Sequence, residues 1–300
     1  MKQIAIIAPT ASGKTALSIS LAHKTNSIIL SLDSLAIYKQ INIASAKPTL
    51  EERDGIVHFG IDEIYPDEKF DVMKFIEIYK KAKQYALNNN KNLIIVGGTG
   101  FYLKAMIDGI SYIPSPSIGI KNIINEKIEK FSSFELYEYM NRIDEDYMQN
   151  IKSNDSYRIE KALSVYLITK QKPSIYFKQN PPKPIIKDIK LYEIIWPREL
   201  LRERINLRTK IMFENGLINE VCFLQNIHTR ELTSMKSIGI KEVLEYLDSK
   251  ITKDEAITKV AIATAQLEKK QRTFNNGQFE NVTKLALNKM ENEILKYFNM

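Results

Sequence analysis

Ala8-Pro9-Thr10-Ala11-Ser12-Gly13-Lys14-Thr15 follows the apolar run Ile4–Ile7 directly and opens a stretch in which Leu17 and Leu21 stand one helical turn apart. Strand, glycine-bearing loop, Lys-Thr and helix in that order are the context of a phosphate-binding P-loop. Backbone N–H groups around Ala11 to Lys14 would converge at a helix N-terminus, where the helix dipole also favours anions. Lys14 adds a point charge, and the Thr15 hydroxyl is suited to a magnesium ion. Thr10, Ala11, Ser12, Gly13, Lys14 and Thr15 are therefore the candidate phosphate site. Ala8 stands where such loops usually carry their first glycine, and its small side chain is expected to fit the entry turn.

Around this loop, Gln3 to Ala8 reads as a strand, Gly13 to Lys24 as a helix and Ser27 to Ser31 as a second strand. A helix from Asp71 places Val72, Phe75, Ile76, Tyr79 and Ala86 on one face, and a third strand follows at Leu93 to Val96. Short apolar strands alternating with helices predict a parallel sheet buried on both faces. The fold class expected is α/β, a P-loop NTPase-like parallel sheet core flanked by helices, with a mostly helical insertion. The insertion begins after Ser111 with helices at Gly119 to Phe131, Ser133 to Asn141, Glu145 to Ile151 and Asp155 to Lys170. Pro114-Ser115-Pro116 and the stretch from Pro173 to Pro184 read as its hinges. Lys190 to Ile195 resumes as an apolar strand, Trp196-Pro197 starts a long helix, and the remainder reads as mostly helical. The domains expected are residues 1–112 (first part of the core), 113–188 (helical insertion) and 189–300 (second part of the core with C-terminal helices).

With 300 residues of which 44% are hydrophobic, the chain can bury a large core. No run of about 18 apolar residues occurs, so no membrane partner is expected. Strand one begins almost at once, without the pattern of a signal peptide. The single cysteine, Cys222, excludes an internal disulfide framework and a cysteine-rich zinc site, and is expected to be buried on a helix. A cytoplasmic protein is the expectation. The net charge of +7 permits an anionic partner. There is no basic tail, so the excess either gathers on one face of the fold or forms a solvated lysine surface.

Strand two runs into Asp33-Ser34-Leu35-Ala36-Ile37-Tyr38, which sets a carboxylate at the C-terminal edge of the sheet, where α/β folds bind ligands. Such an aspartate is either a local cap or a catalyst. Ser45-Ala46-Lys47-Pro48 is a second small-residue loop with a lysine, or an ordinary connector. Strand three ends in Gly97-Gly98-Thr99-Gly100, where an ATPase would commonly place an aspartate for Mg²⁺ and water. Glycines there favour a P-loop that holds phosphates as a leaving group. Arg204 and Arg208 stack at i, i+4 on the helix after Trp196, and Arg208 is the sharper candidate for a bidentate clamp on a diphosphate. Lys236 to Lys241 and Gln266 to Phe274 mix basic with apolar and aromatic residues, as an RNA-backbone surface or a plain helix surface would.

In order, Pro9 to Thr15, Asp33-Ser34 with Tyr38, Ala46-Lys47-Pro48, Gly97-Gly98-Thr99, Asn154-Asp155 with Arg158, and Lys269 to Phe274 resemble the bacterial tRNA dimethylallyltransferase family over nearly the whole chain. The resemblance implies transfer of a dimethylallyl group from dimethylallyl diphosphate to N6 of the adenosine 3′ to the anticodon, with release of pyrophosphate and use of Mg²⁺. It implies that Thr10 to Thr15 hold the diphosphate, with Lys14 and Thr15 on its oxygens and metal, that Arg208 binds pyrophosphate and that Asp33 is the general base. By the same likeness Asp33, Ser34, Leu35, Ala36, Thr99, Lys121, Tyr157, Arg158, Ile159, Glu160, Lys161, Lys236, Lys241, Lys269, Lys270 and Arg272 fall where relatives touch tRNA. The partner implied is the tRNA anticodon stem-loop, embraced by the helical insertion, and a monomer is expected. The likeness departs at Ala8 and Ala44, where relatives carry glycine, at Ser45 (threonine), and at Ile240, Ala265, Phe274 and Asn276 (tyrosine, arginine, tryptophan and arginine). The RNA-facing segments thus carry less charge and aromatic area than the family pattern.

The target base cannot reach a deep pocket unless it leaves its stack, so a flipped adenosine meeting the allyl group in a channel is expected. Three other readings compete. An isopentenyltransferase acting on free adenine nucleotides would not need the insertion or the C-terminal basic helix. A P-loop nucleotide kinase would commonly carry the acidic strand end that is missing here, and an RNA-binding protein with a degenerate P-loop would have no need of Lys14, Thr15 and Asp33 together.

Overall fold

The computed structural model describes residues 1–299. Six strands, β1 (Gln3–Ile7), β2 (Ser27–Leu32), β3 (His58–Phe59), β4 (Asn92–Gly97), β5 (Lys190–Ile195) and β6 (Thr283–Ala286), form one sheet in the order β3-β2-β4-β1-β5-β6. Every pairing is parallel. The expected α/β class with a parallel sheet is what the chain adopts. Neither β3 nor β6 is visible in the sequence pattern. Two residues are too few to show a period, and Thr283-Lys284-Leu285-Ala286 is a half-exposed edge strand where a helical remainder was expected.

Both faces of the sheet are covered, which is why its strands are apolar throughout. The helix Lys14–Lys24 lays Leu17, Leu21 and Ala22 on Ile4, Ile6, Ile29 and Ile94, joined by Met290 and Ile294 of the helix Leu287–Asn299. The helix Val72–Asn88 packs against β2 and β4 and buries Phe75, Ile76, Ile78, Tyr79, Ala82 and Ala86. Each large apolar side chain among these contributes about 1.5–3 kcal/mol when fully buried. Asp71 caps that helix, its carboxylate accepting the N–H groups of Met73 and Lys74.

Register decides which loops become neighbours. Leu32, Gly97 and Ile7 pair in one row at the C-terminal edge. The segments that leave β2, β4 and β1 therefore emerge side by side, and they carry Asp33, Gly98-Thr99 and the P-loop. A parallel sheet with one-residue-accurate pairing does this automatically.

The chain divides into two compact units: residues up to Ala105 together with those from Ile186 onward, and Met106–Ile185. The second unit is helical, with helices Ile118–Lys130, Ser133–Ile143, Glu145–Met148, Ser156–Thr169 and Pro173–Gln179. Its core is Leu136, Met140, Met148, Ile159, Ala162 and Leu163. Ser132 and Glu135 make a reciprocal capping box, and Asp144 and Asp155 cap the next two helices. Pro173 opens a helix where a hinge was expected, because proline is well tolerated in the first turn, where its missing N–H costs nothing. Cys222 lies on the helix Leu217–Ile227 as expected but is half-buried, not buried. Among the described residues no helix is long and apolar enough to cross a membrane.

Candidate active site

The P-loop is a built structure rather than an open turn. The Ala8 N–H donates to Gly97 O at 3.2 Å, tying the end of β1 to β4. Ala11 and Gly13 both have positive φ, 62° and 85°. The φ of Gly13 favours glycine, and a Cβ there would stand 2.8 Å from Leu287 Cδ2, which would have to move aside. Lys14 Nζ donates to Pro9 O at 3.2 Å, folded back over the loop. Burial, and then the neighbouring Arg208 charge, pulls Lys14 down to about 8, with Asp33 opposing. Ser12 Oγ is fully buried and has no hydrogen-bond partner among the described residues.

Arg208, on the helix Arg198–Glu214, donates from Nη1 to Thr10 Oγ1 at 3.0 Å. Burial also lowers the Arg208 pKa, and Asp33 again opposes the shift. Asp33 is a local cap that also lines the cavity. Its Oδ1 accepts the N–H groups of Leu35 and Ala36 at 2.9 and 3.3 Å, and Oδ2 makes no hydrogen bond among the described residues.

That cavity has a volume of about 510 Å³, and Thr10, Lys14, Asp33, Thr99 and Arg208 all line it. Its other walls include Leu35, Phe101, Ile205, Met212, Ile238, Leu267 and Phe274, so a cationic end meets an apolar one. A second cavity of about 1040 Å³ runs along the other side of the P-loop and shares Lys14, Arg208 and Met212 with the first. A small third one, about 60 Å³, joins Thr15, Asp33 and Arg208. The Lys14 ammonium and the Asp33 carboxylate thus open into common space, with room for an extended ligand on either side.

Residues 36–278 match the family described as IPP transferase. The chain belongs to the IPP transferase family. It is 53% identical over 300 residues to the tRNA dimethylallyltransferase of Aliarcobacter butzleri, covering 100% of both chains. It is 51% identical to that of Nautilia profundicola, covering 97% of this chain and 98% of the relative. Among solved structures, a tRNA delta(2)-isopentenylpyrophosphate transferase from Staphylococcus epidermidis aligns with a TM-score of 0.70 at 32% identity, over 99% of this chain and 98% of that one. A eukaryotic dimethylallyltransferase acting on tRNA aligns with a TM-score of 0.82 at 26% identity, over 96% and 75%. The P-loop reading and the family resemblance read from the sequence are both those of this family.

The remaining candidate residues of this family member fall into three groups. Ser34, Leu35, Thr99 and Lys270 line the first cavity. Lys236, Lys241, Lys269, Lys121, Tyr157, Arg158 and Lys161 are exposed, with Lys236 paired to Glu231, Lys241 to Glu242 and Arg158 to Asp155. Arg272 is half-buried and paired with Glu268, and Glu160 is half-buried. Two of the expected residues have buried side chains. Ile159 is completely buried in the helical core because it shares a helix face with Ala162 and Leu163. Ala36 is buried at 3% exposure and serves Asp33 through its backbone N–H. Ala36 nonetheless lines the small third cavity beside Asp33.

Four residues have roles at the site that the sequence does not show. Gln271 reaches the P-loop, its Oε1 accepting the Thr10 N–H at 3.4 Å, and a Cβ on Gly98 would collide with its amide at 2.4 Å. Glu220 accepts the N–H groups of Asn42, Ile43 and Ala44 at 2.8, 2.8 and 2.9 Å and fixes the loop that brings Ser45 to the cavity. Trp196 and Arg204 hold the P-loop from outside. All four act across more than 170 residues of sequence, which no local pattern records. Lys47 is a brace: its side chain is buried against Asp62 and donates to Tyr38 O at 2.9 Å.

Proposed function

We propose that this chain is a tRNA dimethylallyltransferase, moving the dimethylallyl group of dimethylallyl diphosphate onto N6 of the adenosine 3′ to the anticodon. The observation that carries the reading is a single cavity lined by Lys14, Arg208 and Asp33 together with an apolar wall. Names borne by relatives of about 50% identity support tRNA prenylation over the free-nucleotide and kinase readings.

The chemistry follows from charge. The allylic C–O bond breaks as the N6–C bond forms, and negative charge develops on the departing pyrophosphate. P-loop amides, Lys14 and Arg208 are aimed at that charge, where fixed dipoles act most strongly. Lys14, partly neutral at its lowered pKa, becomes fully charged against the diphosphate. N6 is a weak nucleophile because its lone pair is delocalised into the ring. Asp33 Oδ2 takes the N6 proton, worth about 10²- to 10⁴-fold. Apolar side chains such as Phe101, Ile238 and Phe274 line the space for the allyl group and the flipped base and keep water from the allylic cation.

Magnesium fits this site in one way. Among the described residues no cluster of three His, Cys, Asp or Glu side chains could hold a metal. A magnesium ion would therefore rest on substrate oxygens, water and the Thr15 hydroxyl, which makes no hydrogen bond among the described residues. When bound it supplies further neutralisation of the leaving group. A tRNA substrate puts the activity in the cytoplasm.

The test is incubation with dimethylallyl diphosphate, Mg²⁺ and unmodified tRNA, followed by nucleoside mass analysis. An adenosine carrying one added C5H8 unit, 3′ to the anticodon, is expected. Modification of free adenine nucleotides but not of tRNA would overturn the reading.

A further inference from the structure

Two P-loop carbonyls are gripped from outside the loop by side chains that follow β5. Trp196 Nε1–H donates to Ser12 O at 3.0 Å, and Arg204 Nε–H donates to Ala11 O at 2.7 Å. The two donors are joined to each other, since the Arg204 guanidinium lies 4.8 Å from the centre of the Trp196 ring. Arg204 Nη2 also sits 3.8 Å from where a Cβ on Gly13 would be. The pair therefore spans Ala11, Ser12 and Gly13 as a single brace.

The conformation it holds needs holding. Ala11 lies in the left-handed region at φ 62°, which costs an alanine about 1 kcal/mol or more and persists only where surroundings enforce it. The sign of φ alternates across Ala11, Ser12 and Gly13. That alternation turns successive N–H groups to one side, making an anion-binding concavity, with the carbonyls on the other side. Fixing two carbonyls outward fixes the amides inward.

We propose that Trp196 and Arg204 are positioning residues for the diphosphate: together they lock the P-loop amides in their anion-receiving arrangement before substrate arrives. This rests on the reading of the protein as a user of an allylic diphosphate. Without the brace the loop samples other conformations, and apparent affinity falls by the fraction of molecules that remain competent. Arg204 is exposed, whereas Trp196 is half-buried and packs on the sheet core, so the conservative Trp196→Phe keeps an aromatic ring at that place.

The test is a set of variants, Trp196→Phe, Arg204→Gln, Arg204→Lys and the double Trp196→Phe/Arg204→Gln. Each is assayed for KM with dimethylallyl diphosphate, inhibition by inorganic pyrophosphate and KM with tRNA, with thermal melting as the control for folding. Trp196→Phe and Arg204→Gln are each expected to raise the diphosphate KM and the pyrophosphate inhibition constant in parallel by about tenfold, or ~1.4 kcal/mol. KM for tRNA stays unchanged. Arg204→Lys, which keeps a donor, recovers part of the loss, and the double variant is less impaired than the product of the singles because both act on one loop. Unchanged pyrophosphate inhibition in folded variants overturns the proposal, as does an equal loss of tRNA affinity, which would mark general loosening. Should Arg204→Gln not fold, Trp196→Phe carries the test, since its ring stays in place. Failure of the wild-type protein to prenylate tRNA would count against the activity instead. Calorimetry with pyrophosphate then still decides the brace.

Discussion

Arg208 Nη1 donates to Thr10 Oγ1 at 3.0 Å, so a guanidinium from the second half of the chain is fixed at the rim of the loop that follows β1. Burial lowers the pKa of both Lys14 and Arg208, the Arg208 charge lowers that of Lys14 further, and Asp33 opposes both shifts.

Replacing Arg208 with alanine is expected to raise KM for dimethylallyl diphosphate by about 10- to 100-fold, the scale of a charge-assisted hydrogen bond of ~1.5–3 kcal/mol. Arg208→Lys keeps the charge but not the fork and recovers part of the loss. Steady-state kinetics with the diphosphate varied checks this, and an unaltered KM would remove Arg208 from the diphosphate site.

Asp33 calls for a two-variant test, because the observed cap and the proposed base would be separate roles of one side chain. Asp33→Asn retains an Oδ1 that accepts the Leu35 and Ala36 N–H groups and removes the base. Its single-turnover rate is expected to fall by about 10²- to 10⁴-fold while tRNA binding holds. Asp33→Ala loses the cap as well and should be destabilised by a further ~1 kcal/mol. Equal losses of rate and tRNA binding in the asparagine variant would contradict a base role.

The pH profile follows from Lys14. With its pKa lowered to about 8, the side chain is charged below that pH and neutral above it in the free protein. Diphosphate affinity should be level below about pH 8 and decline above it by up to about tenfold per pH unit, because a proton must then be taken up on binding. Calorimetric titration across the range would show the bend, and Lys14→Arg should abolish it. A level profile above pH 8 would mean that Lys14 does not meet the anion.

Glu220 holds three successive N–H groups, at Asn42, Ile43 and Ala44. Truncation to alanine should cost about 1.5–3 kcal/mol, the worth of hydrogen bonds to a charged group. Urea denaturation measures it, and a midpoint equal to that of the wild type would show that the loop needs no such support.

Binding of tRNA should weaken linearly in log affinity against log salt, as released counterions require. Lys270 is exposed at the cavity wall, and Lys270→Ala should reduce the slope by about one. A salt-independent affinity would show that the positive balance of the chain only solvates it.

The P-loop, the strand–helix alternation and the position of Asp33 at a strand end were legible in the sequence because each is a local pattern: a period of apolar residues, a loop with its Lys-Thr, a carboxylate after a short strand. Most helices of the second unit were legible for the same reason, while Pro173–Gln179, read as a hinge, was not. Ile159 shows the limit. It stands among Tyr157, Arg158 and Lys161, all exposed, yet the helical turn sends it into the core.

By itself, then, the sequence determined that a phosphate-binding loop begins a parallel sheet and that a carboxylate and a glycine-rich strand end stand at the same edge. Beyond Arg208, which the sequence already offered as a clamp, only the tertiary structure decided which distant side chains complete the loop. Gln271, Arg208, Trp196 and Arg204 meet it because β5 lies beside β1 in the sheet and the helices that follow pack back across its C-terminal edge. The physical reason is that hydrogen bonds are satisfied in space. Trp196 carries no periodic or motif signal of its role, and a carbonyl turned outward by a left-handed alanine accepts whichever donor the packing supplies.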